Sequence, residues 1–244
     1  MMRVIVNGAK GKMGTLACDT LKNHPEFELV AALGREDDLS STIQSKKADI
    51  VVDLTRADVV YENSLCIIEN GAHPVIGASG LLEDQIKTLK ALCAESNTGG
   101  IIVPNFSIAA VLMMHFAAMA AKWLPEVEII EAHHQNKLDA PSGTALKTAE
   151  MIAANRIHEK QVLQCKELIK GARGSLHEQI NIHSLRLPGV LAEQEVLFGQ
   201  KGETLSIKHR SMDRIAYMPG LILACQKVSS LNRLHYGLEH LLDL

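Results

Sequence analysis

Aromatic residues are scarce: Phe, Trp and Tyr make up only 3% of the 244 residues. That leaves little for a base-stacking platform of the kind single-stranded nucleic acids use. No charge of one sign dominates. The formal net charge is −3 with 22% charged residues, so there is no basic footprint for nucleic acid or an anionic membrane. The five cysteines (Cys18, Cys66, Cys93, Cys165 and Cys225) are dispersed and form no CxxC pair. Their spacing argues against a disulfide framework or a zinc knuckle and for reduced thiols. A long hydrophobic run is also missing. The longest, Ile108 to Ala121, is interrupted by His115 and falls short of the ~20 residues of a membrane helix. The opening stretch, Met1 to Gly8, holds too short an apolar run for a signal peptide. Together these absences predict a soluble, cytoplasmic protein with no nucleic-acid or membrane partner.

What is present is an ordinary globular apolar content of 47%. A chain of this length can bury roughly 70% of its unfolded surface without covalent staples. The first hundred residues alternate between two periods. Short β-branched runs at Val4–Val6, Phe27–Leu33, Asp49–Leu54, Pro74–Ile76 and Ile101–Val103 predict strands. Helical stretches separate most of them, at about Met13–Asn23, Ala57–Asn70 and Leu82–Ser96. The polar stretch Gly34–Lys47 is expected to be a loop. Continuous apolar strands separated by helices predict a doubly wound, Rossmann-like parallel sheet covered on both faces. The pattern changes near Pro104. A helix from Ser107 towards Pro125, a strand at Val127–His133 and a helix at Gly143–Asn155 come first. After a charged, less regular stretch, three strand-like segments lie near Gln179–Leu187, Glu195–Phe198 and Glu203–Lys208. A helix near Pro219–Ser230 follows. The second half therefore reads as an α+β domain with a mixed or antiparallel sheet. The expected division is 1–104, 105–215, and a terminal helical segment 216–244.

The turn Gly8-Ala9-Lys10-Gly11-Lys12-Met13-Gly14 follows a strand and opens a helix. Glycines there permit a tight turn and close approach of a pyrophosphate to N–H groups at a helix N-terminus. The spacing departs from G-x-G-x-x-G because Lys10 holds the second glycine position. At the end of the second strand, Gly34 stands where an acid commonly binds ribose hydroxyls. With no carboxylate there, Arg35, Lys10 or Lys12 can pair with a 2′-phosphate, which favours NADPH, with NADH as the alternative. Gly77-Ala78-Ser79-Gly80 and Val103-Pro104-Asn105-Phe106 follow the fourth and fifth strands, where such sheets bind ligands. Each alone could be a plain connection. The densest chemistry lies in Glu131-Ala132-His133-His134-Gln135-Asn136-Lys137-Leu138-Asp139-Ala140-Pro141-Ser142-Gly143-Thr144. Adjacent histidines on a strand point to opposite faces and suit one metal poorly, so no metal is expected. Histidine suits proton transfer near neutral pH, and lysine suits support of a developing anion. Ser142, Gly143 and Thr144 open a helix that can hold a carboxylate. The alternative is a basic surface loop before an ordinary capped helix. Leu185-Arg186, Lys208-His209-Arg210 and Asp213-Arg214 read as solvated strand ends.

These motifs, together with Val52-Asp53-Leu54-Thr55 and Asn105-Phe106-Ser107, resemble the dihydrodipicolinate reductase family, in the family's order and over nearly the whole chain. The block from Glu131 to Ala145 carries most of the specificity. The resemblance implies a nicotinamide-dependent reductase of lysine and diaminopimelate biosynthesis, acting on a small cyclic dicarboxylate. It also implies a homotetramer built by the C-terminal sheet, and a last helix returning to the first domain. His133 would donate and accept the proton, and Lys137 would be a second donor. His134 would contact the substrate, Ser142, Gly143 and Thr144 would grip a carboxylate, and Arg214 would lie near the substrate. Gly8 to Met13, Gly77 to Ser79 and Val103 to Phe106 would contact the dinucleotide. Domain closure would bring nicotinamide and substrate together. The chain departs from the family at Lys10, at Gly34, in a shortened segment between the second and third strands, and at Glu193-Gln194 in place of Glu-His. Outside this family, the alternatives are another two-domain Rossmann amino-acid dehydrogenase or a dinucleotide sensor without turnover. Neither has a use for the histidine–lysine cluster.

Overall fold

The structure, a computed structural model, describes residues 1–157, 166–242 and 244. Cys165 and part of the charged stretch lie outside these. The chain divides into two compact units, one of Met1–Ile108 with Arg214–Leu244 and a second of Ala109–Asp213. No described helix is long and apolar enough to cross a membrane.

The first unit is built on strands β1 (Met2–Asn7), β2 (Phe27–Leu33), β3 (Ile50–Asp53), β4 (His73–Ile76) and β5 (Gly100–Ile102). Helices α1 (Lys12–Lys22), α2 (Leu39–Lys46), α3 (Val60–Glu69) and α4 (Glu83–Glu95) connect them. The strands are parallel, in the order β5-β4-β3-β1-β2. Val4, Ile5, Val6, Val51, Val52, Val75 and Ile76 have no exposed surface, as expected of a sheet covered on both faces. On one side Ile5, Val51 and Leu33 pack with Ile43 and Ile67. Another cluster joins Ile76 and Ile102 to Val60, Ile68 and Leu89. The buried Asp53 carboxylate ends β3. Burial pushes its pKa up, against hydrogen bonds from Thr55, Asn63 and Asn7, so it ties the β3–α3 turn to the end of β1.

Two expectations are corrected here. The stretch 34–47 is not simply a loop: it contains α2, capped by Asp38, whose carboxylate accepts from the Ser41 N–H at 2.6 Å. Ile43 is the only buried residue of α2, so its apolar stripe was too thin to read. Likewise 216–244 is not one helix. A 3-10 turn (Arg214–Tyr217) leads into α7 (Met218–Val228), and then comes strand β11 (Leu234–Tyr236). β11 pairs in parallel with β5 as the sixth strand of the sheet. With three residues and one buried side chain, Leu234, it offered no periodicity.

The second unit carries α5 (Ile108–Ala120), β6 (Glu126–His133), α6 (Gly143–Asn155), β7 (Ser175–His177), β8 (Ile180–Arg186), β9 (Ala192–Gln200) and β10 (Glu203–Ser211). The sheet order is β10-β9-β6-β8-β7, with β6 and β8 parallel and the other pairs antiparallel. β7 is a short edge strand that the sequence pattern did not announce. Register sorts the covered face into rows across β8, β6, β9 and β10. Ile182, Ile129, Val196 and Ile207 form one apolar row, and Val127 pairs with Phe198 and Leu205 beyond it. These apolar rows pack against Ala145, Ala149 and Ile152 of α6. Towards the carboxyl end of β6 the rows become polar: Ser184, Glu131, Gln194 and His209, then Arg186, His133, Ala192 and Ser211. The chemistry of this unit is confined to that end.

Candidate active site

In the first unit, the turn after β1 is shaped by close approach of backbone to backbone. Gly8 has φ +84°, and a Cβ there would lie 2.7 Å from the Leu54 carbonyl oxygen. A Cβ on Gly14 would lie 2.1 Å from the Gly8 carbonyl oxygen, so α1 meets the turn too tightly for any side chain. Gly11 is the N-cap of α1 and provides no side-chain cap. The helix start therefore has no side-chain cap, with exposed Lys10, Gly11 and Lys12 around it and Ala9 and Met13 half-buried. The loops after β4 and β5 converge on the same edge. A Cβ on Gly77 would strike Leu54 and Phe106 side chains. Ala78, Val103 and Phe106 are buried, whereas Ser79 and Pro104 are exposed and Asn105 is intermediate. Asn105 accepts from the Ser107 N–H at 2.9 Å.

Lys10 extends to the end of β2. Its Nζ lies 3.3 Å from where a Gly34 Cβ would stand, so the missing glycine and the missing acid are neighbours in space. Arg35 is exposed beside them. Asp37 comes back to this point, its carboxylate accepting the Gly34 N–H at 2.7 Å. Arg214 belongs to this first unit, at the head of the 3-10 turn that packs against α1 and α7.

The second unit gathers its functional groups around one carboxylate. Glu131 has no exposed surface, and each of its oxygens accepts more than one hydrogen bond. Oε2 accepts from His133 Nδ1 at 2.6 Å and from an Arg186 terminal nitrogen at 3.0 Å. Oε1 accepts from the other Arg186 terminal nitrogen at 3.0 Å and from the Ser142 N–H at 3.2 Å. Burial pushes the Glu131 pKa up, but the hydrogen bonds from His133, Arg186 and Ser184 outweigh it and bring it down to about 2. Arg186 was expected as a solvated strand end. Instead its side chain is only 19% exposed, and it also donates to the Asp139 carbonyl at 2.7 Å, pinning the loop after β6.

Within that loop Lys137 Nζ sits 2.7 Å from both carboxylate oxygens of Asp139. The bond from Lys137 holds the Asp139 carboxyl below its ordinary range. His134 is half-buried, and its carbonyl accepts the Lys137 N–H. Ser142 caps α6 by accepting from the Ala145 N–H at 3.2 Å. Gly143 is exposed, with open space where a Cβ would be, and Thr144 is partly exposed. Gln194 braces the same turn from the sheet, donating to Thr148 Oγ1 at 2.7 Å, while Thr148 donates to the Thr144 carbonyl. His133, His134, Lys137, Ser142, Gly143 and Thr144 thus come from one strand end, one loop and one helix start. Lys208 and Arg210 are exposed, as expected of solvated strand ends. They pair with Glu193 at 2.6 and 3.4 Å across the sheet, and His209 is half-buried with its pKa lowered by burial.

The depressed pKa of Glu131 has a consequence for stability. A carboxyl at about 2 in the fold and 4.5 unfolded stabilises the fold fully above 4.5 and loses that contribution as pH falls towards 2. The contribution is on the order of 3 kcal/mol. Equilibrium unfolding from pH 6 down to acid should show the wild type losing about that margin over Glu131→Gln. A constant difference between the two proteins would refute it.

Sequence models of the dihydrodipicolinate reductase N-terminus and C-terminus match residues 2–106 and 109–242. A 4-hydroxy-tetrahydrodipicolinate reductase of Legionella pneumophila is 66% identical over 240 residues, covering 98% of this chain and 99% of the relative. The Lactococcus lactis protein of that name is 46% identical over 255 residues, covering 100% and 98%. Among solved structures, the dipicolinate-bound dihydrodipicolinate reductase from Paenisporosarcina sp. TG-14 superposes with a TM-score of 0.91 at 40% identity, covering 99% of this chain and 100% of that one. Matched along nearly its whole length by sequence and by fold, the chain belongs to the dihydrodipicolinate reductase family.

Proposed function

We propose that this protein reduces 4-hydroxy-tetrahydrodipicolinate to tetrahydrodipicolinate with NAD(P)H, in diaminopimelate and lysine biosynthesis. The observation that carries the proposal is that His133 and the α6 start are held on one buried carboxylate, with Lys137 in the loop between them, in a chain that matches these reductases throughout. A nicotinamide cofactor, when bound, supplies the hydride. The residues that would hold it are Gly8 to Met13, Gly77 to Ser79 and Val103 to Phe106, and the uncapped start of α1 suits its pyrophosphate. The dicarboxylate substrate would place one carboxylate on the Ser142–Thr144 helix start, where Gly143 leaves room and the helix dipole favours an anion. His134 and Arg214 would complete the substrate contacts. Hydride addition to a conjugated imine leaves an electron-rich carbon that needs a proton, and His133 delivers it from its outward ring nitrogen. Lys137 supports negative charge on the ring and acts as a second donor, kept close by Asp139.

NADPH is the favoured cofactor in this proposal. Lys10 occupies the space beside Gly34, and Arg35 is exposed next to it, so a 2′-phosphate meets two cations. The protein is proposed to act in the cytoplasm as a homotetramer. The face of the second sheet turned away from α6 carries Ile130, Leu185 and Leu197, each 37–39% exposed. A second copy of that face could cover them.

Steady-state kinetics with freshly generated substrate test the proposal. His133→Ala should lower kcat by about 10²–10⁴-fold, the span of one general acid, with cofactor affinity little changed. An unchanged rate would remove His133 from the mechanism. Gly143→Ala should fold as well as wild type, since nothing occupies the Cβ position, yet raise the substrate KM at least about tenfold by loss of uniform binding. An unchanged KM would move the carboxylate seat elsewhere. kcat/KM should favour NADPH over NADH by about tenfold or more, the worth of one charge-assisted pair. A strong NADH preference would contradict this and show that Glu36 or another group makes the ribose contact.

A further inference from the structure

We infer that Glu131 is a positioning residue that fixes the tautomer of His133 and, through Ser142, the place of the carboxylate seat relative to it. The inference rests on the proposed reductase function for its kinetic consequence, but not for its structural one.

Glu131 cannot itself be the proton donor. Its oxygens receive donors from His133, Ser142, Ser184 and both terminal nitrogens of Arg186, which leaves no acceptor site of the carboxylate free. It also has no surface through which a substrate could reach it. His133 and Ser142, however, meet substrate in the proposed mechanism, and Arg186 holds the loop between them. Because an ionised carboxylate only accepts, the nitrogen facing it must carry a proton. His133 Nδ1 is therefore N–H in every protonation state, and Nε2 is the atom that gains and loses the transferable proton. A metal-binding histidine is oriented by an outer carboxylate on the same physical grounds. The neighbours reinforce the assignment. Arg186, paired with Glu131 through both terminal nitrogens from the adjacent strand, keeps the carboxylate charged. The loop charges Lys137 and Asp139 pair with each other. From β9 the residue opposite Glu131 is the neutral Gln194, committed to Thr148, with His209 beyond it on β10.

The second link is mechanical. The Ser142 N–H is bound to Oε1 of the same carboxylate, and Ser142 is the N-cap of α6. The proton-bearing ring and the anion-binding helix start are thus referred to one rigid group, which holds the donor nitrogen and the substrate carboxylate in a set relation.

Glu131→Gln tests this with shape preserved. Arg186 faces both carboxylate oxygens, but the Ser142 N–H, which can only donate, faces Oε1, so the carboxamide keeps its oxygen at Oε1 and turns its NH2 to His133 Nδ1, making Nδ1 an acceptor and moving the neutral ring to the Nε2–H form. Histidine-selective ¹⁵N NMR at alkaline pH, with His133 assigned through His133→Gln, should show Nδ1–H in the wild type and Nε2–H in the variant. kcat should fall by about 10²–10⁴-fold, as when an orienting carboxylate is replaced by an amide in a hydrolase triad. KM values should change less than about threefold, a pattern a merely loosened fold would not give. An Nε2–H tautomer in the wild type overturns the inference whether or not the variant folds, and so does a folded variant with wild-type kcat. Wild-type protein that shows the Nδ1–H tautomer but no turnover of 4-hydroxy-tetrahydrodipicolinate would instead overturn the functional proposal and leave the positioning role standing.

Discussion

A charge without solvent must be neutralised or surrounded, and the second unit is organised around one such charge. Glu131 stands on the covered face of the sheet, one row from Ile129 and Val196, where an isolated carboxylate would take up a proton. It is kept ionised by Arg186 from the neighbouring parallel strand, by the His133 ring two residues along its own strand, and by the backbone of Ser142. Removing any one partner leaves the others with an unmatched group, and this is why strand end, loop and helix start form one unit. The site's geometry depends on the burial of Glu131 as much as on its charge, because a solvated carboxylate would have no reason to stay in place.

In the first unit the governing constraint is steric. Gly8, Leu54, Gly77 and Phe106 lie so close together that a Cβ on either glycine would overlap its neighbours. The loops after β1, β3, β4 and β5 are thereby drawn to one edge, where an open α/β sheet binds its ligand. Lys10 departs from the usual glycine and Gly34 from the usual acid, and the lysine side chain lies over the bare glycine. One substitution fills the space that the other leaves. That pairing links two departures which, taken along the sequence, are 24 positions apart.

The parallel strands were legible because strands buried on both faces read as unbroken β-branched runs, as Val4–Val6 and Ile50–Val52 do. Helix α6 was legible at both ends from Ser142 and the Gly143–Asn155 pattern. What could not be read were elements with one anchor each: α2 on Ile43 and β11 on Leu234. The histidine–lysine–serine block announced itself by composition. Arg186 did not, since it lies 55 residues from Glu131 and reaches it only because β6 and β8 run in parallel with His133 opposite Arg186. Glu131 was visible in the block but had no assigned role, for burial is not a property of a residue's neighbours in sequence. A polar residue alternating with Val127 and Ile129 on the covered face was the one available signal.

The charge state of Glu131 can be observed directly. With ¹³C-labelled glutamate, the side-chain carboxyl resonance of Glu131, assigned through Glu131→Gln, is expected to stay at its ionised position as pH is lowered, until the fold itself is lost. A titration of that resonance in the folded protein at or above the ordinary glutamate value of 4.5 would show that the carboxylate is neither buried as a charge nor held by its donors, and would contradict the account.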